Sequence, residues 1–224
     1  MRPLLVLLLA ASACAHAAHP AIRTTGEGRV TARPDLASVT LGVESLAKVL
    51  PDAVKDSDAR MRAVLAALAQ AGIPERDVHT TRYDVALEQR YEPNAPPQPV
   101  GYRVTHELRV LVRGGEPGRA GVVLDAALGA GANVVRSIAF EKEDPAPERA
   151  RALEAAVAAA RAKAEVIARA SGRTLGEVRA VSEAGVGPIV PLRTMNVAKL
   201  QSATPVQPGE LEIAAQVEVE FGLR

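Results

Sequence analysis

The chain has 224 residues, a length that allows one large domain or two small ones. Its 27 basic and 26 acidic side chains nearly cancel, which argues against nonspecific nucleic-acid binding, because such binding needs a surplus of lysine and arginine. There is no tryptophan and only 2% of the residues are aromatic, so the chain has few rings for stacking platforms and its core must be aliphatic.

The amino terminus has the three-part layout of an export signal. Arg2 gives a positive start, residues 4–13 are apolar, and Ala15-His16-Ala17 matches an A-x-A cleavage site. The apolar run is shorter than the roughly 20 residues that a transmembrane helix needs. We therefore predict a signal peptide at residues 1–17, export to the periplasm, and a mature chain without a transmembrane span.

A second processing route is open at Cys14, the only cysteine of the chain. It follows Ala11-Ser12-Ala13, which loosely resembles a lipoprotein signal in which the cysteine becomes the lipidated first residue. Alanine stands where such signals usually carry leucine, so the pattern favours simple cleavage near Ala17. The mature chain would then contain no cysteine, and disulfides and thiol chemistry would be excluded.

Clean alternation of polar and apolar residues predicts two strands near the start of the mature chain. The first, over residues 22–32, has a polar face that consists of Arg23, Thr25, Glu27, Arg29 and Thr31. The second has an apolar face that consists of Ala37, Val39, Leu41 and Val43. The turn-forming residues Pro34 and Asp35 lie between them and predict that the two strands form a hairpin.

A helix and two further strands complete the first half. Pro51 and Asp52 suit the first helical turn, and Gly72 and Pro74 suit its end. The apolar stripe of the helix consists of Val54, Met61, Val64, Leu65 and Leu68. The apolar faces of the two strands consist of Tyr83, Val85, Leu87 and Tyr91, and of Tyr102, Val104, His106, Leu108, Val110 and Val112. The connection over 92–99 contains four prolines and should be a stiff exposed loop.

The second half begins with a short helix over 117–128, a strand over 134–140 and an alanine-rich helix over 148–171. The predicted stripe of the long helix is Leu153, Val157, Ala160, Ala164 and Ile167. A strand over 178–183 and a proline-containing segment over 185–209 follow; a structureless connection this long is usually functional or mobile. The final strand has an inward face that consists of Leu211, Ile213, Ala215, Val217, Val219 and Phe221.

The resulting order is β-β-α-β-β, then α-β-α-β-β. Strands with one solvated face and helices that cover the other predict an α+β fold of antiparallel sheets with helices packed on one face.

A search for reactive groups gives only weak candidates. His106 lies on the apolar face of its strand, where a core histidine is favoured over a catalytic base. His79 has no second ligand at metal-binding spacing, and His16 and His19 lie in or beside the leader. Ser45-x-x-Lys48 matches the S-x-x-K pattern of some acyl-enzymes, but it falls at a strand end.

Two further patterns favour structural interpretations. Gly26-x-Gly28 lacks the third glycine of a nucleotide loop and lies inside a strand, which favours a bulge or a close backbone approach. Glu141, Glu143 and Asp144 would suit a hard cation, but a solvated loop before a helix is the simpler interpretation. With no G-x-S-x-G, H-E-x-x-H or P-loop, we predict no enzyme and no catalytic, cofactor-binding or metal-binding residues.

Several stretches, in this order and spacing, resemble the SIMPL-domain family of bacterial envelope proteins, the YggE-like, outer-membrane immunogenic type. They are residues 26–28, 32–37, 42–44, 71–73, 101–103, 124–127, 129–133, 161–165 and 204–209. The segment 113–118 departs from the family pattern, being Arg-Gly-Gly-Glu-Pro-Gly where relatives tend to carry an acidic-leucine linker. The resemblance spans residues 22–222, with sub-halves expected at 22–113 and 116–222.

The resemblance implies a periplasmic or outer-membrane-associated α+β protein with no established catalytic residues. It implies homo-oligomers, which are large and ring-like or channel-like in some members, and a link to envelope or oxidative stress. We therefore expect a non-enzymatic protein that acts by self-assembly or through envelope partners, with the final strand and the segment 185–209 as contacts. A periplasmic small-molecule-binding module and a hydrolase that uses Ser45 and His106 are the alternatives.

Overall fold

The predicted order of elements is confirmed by the computed structural model, which describes residues 20–94, 96–114, 117–192 and 206–224. The elements are β1 (Ala21–Ala32), β2 (Leu36–Ala47), α1 (Leu50–Gln70), β3 (Val78–Arg90), β4 (Gln98–Val112), α2 (Ala120–Gly129), β5 (Val134–Glu141), α3 (Ala146–Ala170), β6 (Leu175–Val186), β7 (Val190–Leu192) and β8 (Glu210–Leu223). The short strand β7 falls in a segment that we expected to lack structure. The fold is α+β.

The strands form two sheets. Sheet A has the order β1-β8-β6, with β7 also paired to β8, and sheet B has the order β3-β4-β2-β5. The predicted hairpin of β1 and β2 is wrong, because these strands belong to different sheets. The turn residue Asp35 is instead anchored at the end of β5: its amide donates to the carbonyl of Glu141, and its carboxylate accepts bonds from the Glu143 amide and the Lys142 ammonium group.

The chain divides into two compact units. The first unit contains the described residues up to Gly28, Leu153–Gly185 and Ala215–Arg224. The second unit contains Arg29–Ala152 and the described residues of the range 186–214. Each unit has its own cluster of buried apolar side chains.

In the second unit, α1 and α2 cover one face of sheet B. The predicted inward face of β2 is confirmed, since its four members are fully buried. Met61, Val64 and Leu68 of α1 pack against that face, as predicted. Leu65 does not, because it is exposed; the buried stripe of α1 runs instead through Ser57 and Ala53.

In the first unit, the buried stripe of α3 consists of alanines four residues apart: Ala156, Ala160, Ala164 and Ala168. Val157 and Ile167, which we predicted to face inward, are exposed. The alanine stripe packs with Ile22 and with the inward residues of β8, namely Val217, Val219 and Phe221. Alanines form the buried face of α3 because small side chains let the helix axis approach the sheet more closely than branched side chains allow.

Candidate functional site

The first glycine of the Gly26-x-Gly28 pattern is a packing feature. A Cβ atom added at Gly26 would lie 1.9 Å from the carbonyl oxygen of Ala156 and 2.6 Å from the amide nitrogen of Ala160. Only a residue without a side chain fits where β1 meets the backbone of α3 at this distance. The close backbone approach that we predicted is therefore present.

Ser45 is engaged with an acid rather than with Lys48. Its side chain is buried at the end of β2, and its hydroxyl donates to the carboxylate of Asp56 over 2.8 Å. This hydrogen bond and the nearby Arg60 lower the pKa of Asp56. Lys48 follows the end of the strand and is exposed. The pair therefore lacks the helical geometry in which serine and lysine lie one turn apart.

His106 lies on the apolar face of β4, as predicted. Its ring meets Tyr83 edge to face, with centroids 5.1 Å apart, and its Nδ1 atom is buried without a hydrogen-bond partner. Burial lowers the pKa of His106, and the charge of Asp58 opposes this only in part. The histidine is therefore held in its neutral form against α1.

The remaining candidates do not converge on a metal site. His79 is exposed on β3, and Cys14, His16 and His19 lie outside the described residues. Glu143 pairs with Arg113, and Asp144 accepts a bond from the amide of Ala146 at the start of α3. Within the described ranges, no group of three or more histidine, cysteine, aspartate or glutamate side chains is placed to hold a metal ion.

The final strand, which we expected to contact another subunit, lies in the middle of sheet A. It is paired with β1 on one side and with β6 and β7 on the other, so among the described strands it is an internal strand and not an edge. Its predicted inward face is confirmed. The other expected contact, the segment 185–209, is described only up to residue 192 and from residue 206.

An accessible feature of the second unit is β3, an edge strand of 13 residues. It pairs with β4 on one side and ends the order of sheet B on the other. Its pairing with β4 is regular over residues 82–88, which lie between register shifts at Thr80/Arg82 and Glu88/Gln89. An edge strand presents a row of backbone N–H and C=O groups that another strand can pair with.

Three apolar side chains stand in a row on one face of this strand. Tyr83, Val85 and Leu87 are 50%, 41% and 48% exposed. They lie opposite His106, Val104 and Tyr102 of β4, and so on the face that α1 covers further into the sheet. They are exposed because α1 packs mainly on β2 and β4. We call this row the β3 apolar row.

The other face of the same stretch is charged. Arg82 and Asp84 lie 3.6 Å apart, and Glu88 accepts a bond of 2.9 Å from Arg103, which also pairs with Glu44. The hydrogen bond from Arg103 lowers the pKa of Glu88, so this carboxylate is held ionised. The strand thus offers an apolar row on one face and opposite charges on the other, and between them an edge that no other described strand pairs with.

The first unit carries an open groove of 590 Å³ between β1 and α3. It is lined by Arg23, Thr24, Thr25, Ala162, Lys163, Val166 and Ile167. The ammonium group of Lys163 donates to the carbonyl oxygen of Thr25 over 2.8 Å, which ties the helix to the strand within the groove lining. Exposed Val166 and Ile167 give the groove an apolar wall.

These features define an α+β protein in which surfaces for contact, rather than a cluster of reactive groups, stand out among the described residues. The chain belongs to the SIMPL family, described as a protein of unknown function (DUF541), which it matches over residues 22–221. The resemblance drawn from the sequence is therefore confirmed.

Relatives are found in several bacteria. The chain is 33% identical over 213 residues to the 26 kDa periplasmic immunogenic protein of Brucella abortus, an alignment that covers 91% of this chain and 84% of the relative. It is 31% identical over 162 residues to the uncharacterized protein YggE of Edwardsiella ictaluri, covering 72% and 67%. The YggE of Escherichia coli K12 is 26% identical over 208 residues, covering 91% and 83%.

The names of the Brucella relatives support a periplasmic location for this chain. In the described part of the chain, no helix combines the length and apolar character that a membrane span needs.

Proposed function

We propose that this chain is a non-enzymatic periplasmic protein that acts by self-assembly or by contact with envelope partners. The observation that carries the proposal is the free edge of β3 with its apolar row. Folded proteins usually protect edge strands with charge, proline, bulges or a covering element, because an exposed edge recruits other strands. Here two register shifts lie within the strand, but among the described residues the seven regular positions between them have no neighbouring strand on their outer side.

The apolar row makes contact more favourable than the backbone edge alone. Burial of apolar surface contributes about 25 cal/mol per Å², and a contiguous exposed row of large apolar side chains is typical of interaction sites. Tyrosine adds area at a low cost in conformational entropy, which is why it is enriched at interfaces.

Export is part of the same proposal. A leader at residues 1–17 would be removed near Ala17 and leave a domain over 22–222 in the periplasm. The test is the mass of the protein recovered from the cell envelope. A chain that begins at Ala18 supports simple cleavage. A lipidated chain that begins at Cys14 would contradict simple cleavage and show that the protein is anchored in a membrane by its lipid.

The test of self-assembly is the native mass of the exported protein, without detergent, by light scattering over a concentration series. A discrete oligomer supports the proposal. A monomer at every concentration would reject self-assembly and leave envelope partners as the only form of the proposal. A role in envelope or oxidative stress defence, at the outer membrane or within the periplasm, is the physiological extension. It predicts that a deletion strain is more sensitive to peroxide or detergent than its complemented form.

A small-molecule-binding module is the second candidate, and the groove between β1 and α3 favours it. Its volume of 590 Å³ falls within the range of about 300–1,000 Å³ that is typical of ligand pockets. Anilinonaphthalene sulfonate, an anionic apolar dye, is a suitable probe. Saturable fluorescence that is lost in Val166→Glu supports this function, and dye binding that is unchanged in Val166→Glu would contradict it.

A further inference from the structure

We propose that the β3 edge pairs with the β3 edge of a second copy of this chain, antiparallel and centred on Val85. This inference rests on the proposed self-assembly and specifies its surface and register. It joins two four-stranded sheets into one continuous eight-stranded sheet across a two-fold axis. The occupant of the edge is therefore the same strand.

The centre of the pairing follows from the regular part of the strand. The register shifts leave seven regular residues, Arg82–Glu88, and Val85 is their midpoint. The first shift adds Thr81 on β3, and the second adds Val100 on β4. Because a bulge disrupts the ladder and increases the local twist, pairing is best in the stretch between the two shifts. At about 3.4 Å per residue the paired length is about 24 Å.

The side chains are self-complementary in this register. On the apolar face Val85 lies opposite Val85 of the second copy, and Tyr83 lies opposite its Leu87. On the charged face Arg82 lies opposite Glu88 of the second copy. The two-fold axis repeats each contact, giving two ion pairs and a patch of six apolar side chains from two apolar rows. Opposite charges and aromatic–aliphatic pairs are the favourable cross-strand combinations, and a two-fold contact requires such self-complementarity.

A register centred two residues earlier, on Tyr83, is poorer. If the axis passed through Tyr83, residue 86 would lie opposite residue 80. The extra residue at the first register shift places these two side chains on different faces of the sheet. Register is strongly specified where one face is apolar, because a slip moves side chains to the wrong side. Charge and face pattern thus agree on Val85.

The test places like charges on the axis. Val85→Lys and Val85→Glu each put identical charges opposite each other, and we expect each variant alone to lose at least half of the native mass shown by the wild type. A mixture of the two puts lysine opposite glutamate, and the mass should recover. The matched control is Val181→Lys, on the β6 edge of sheet A and 58% exposed, which should leave the mass unchanged.

A covalent readout tests the register without relying on charge. In a Cys14→Ser background, Val85→Cys places two thiols across the axis at a Cα separation that a disulfide spans. Leu87→Cys is the control, because its two copies would be about 14 Å apart along the strands. We expect oxidation to give a cross-linked dimer of Val85→Cys and none of Leu87→Cys.

The outcomes separate the two proposals. A monomeric wild type would overturn self-assembly, and the β3 pairing with it. An oligomeric wild type whose mass survives both Val85 charge variants, or falls in Val181→Lys, would overturn the β3 surface while self-assembly stands. Cross-linking of Leu87→Cys but not of Val85→Cys would overturn the register. Far-UV circular dichroism of each variant confirms that the fold is retained.

Discussion

The contact between Gly26 and α3 allows one change to be worked out in detail. In Gly26→Ala the added Cβ would lie 1.9 Å from the carbonyl oxygen of Ala156, whereas an ordinary contact begins at 3.4 Å. Overpacking costs about 1–3 kcal/mol when side chains can shift. Here the atoms in the way are backbone, so the helix itself must move, and we expect a loss at the upper end, about 3 kcal/mol or more.

The neighbouring bonds make that movement costly. The hydroxyl of Thr24 donates to the carbonyl of Ala160 over 3.0 Å, and Lys163 donates to the carbonyl of Thr25. Both bonds tie α3 to β1 beside Gly26 and would lengthen if the helix retreated. Because one of them involves a buried hydroxyl, its loss adds to the cost.

The assay is urea unfolding of the exported protein followed by far-UV circular dichroism, since the chain has no tryptophan. The control is Gly118→Ala, where an added Cβ meets nothing within 4 Å, and we expect a change within about 0.5 kcal/mol. Adding Ala160→Gly should not rescue Gly26→Ala, because the closest contact is with the backbone of Ala156. A Gly26→Ala midpoint equal to wild type, or a full rescue, would show that α3 does not approach β1 so closely.

Three further changes test the interior. Val217→Asp buries an unpaired carboxylate and should cost about 3–5 kcal/mol, whereas Val181→Asp, on an exposed site, should change the urea midpoint little. Arg113→Met leaves the buried carboxylate of Asp77 without its 2.8 Å partner and should cost about 1–3 kcal/mol, part of which Asp77→Asn should restore in the double variant. Burial lowers the pKa of His106 below 6.5, so the unfolded chain binds the extra proton first and stability should fall as pH drops below about 6.5; His106→Phe should remove that part of the pH dependence.

Each of these predictions has a clear contrary result. If Val217→Asp unfolds at the same urea concentration as wild type, Val217 does not lie on a buried face of β8. If the double variant of Arg113→Met and Asp77→Asn is less stable than Arg113→Met alone, the contribution of Arg113 comes from packing of its aliphatic stem and not from its ion pair with Asp77. A pH slope between about 7 and 5 that is identical in wild type and His106→Phe would assign the titration to other groups.

Much of the fold was predictable because alternation is a local property. The polar and apolar residues of β1 and β8 occur every second position, and a strand with that pattern buries only one of its faces. Helix ends were also predictable, since proline and glycine act on their own backbone. The prediction of a leader at residues 1–17 rests on the same kind of local pattern, because its three parts are consecutive in the sequence.

The contacts between segments that are distant in the sequence were not predictable in the same way. The chain suggested a hairpin of β1 and β2, yet β1 pairs with β8, almost the whole chain away. The same limit applies to α3: hydrophobicity favoured Val157 and Ile167 for the interior, but the short distance between helix and sheet admits only alanine. Both outcomes depend on how closely distant segments approach.

The β3 apolar row shows most clearly what the sequence determines and what the tertiary structure decides. The apolar face of β3 was visible in the sequence as Tyr83, Val85 and Leu87. The same pattern occurs in strands that a helix covers, so sequence alone determined the face but not its exposure. The tertiary structure decided it, because α1 packs mainly on β2 and β4 and leaves the terminal strand of the sheet open. Periodicity fixes which side chains share a face, whereas the order of strands and the reach of a helix decide whether water or protein meets them.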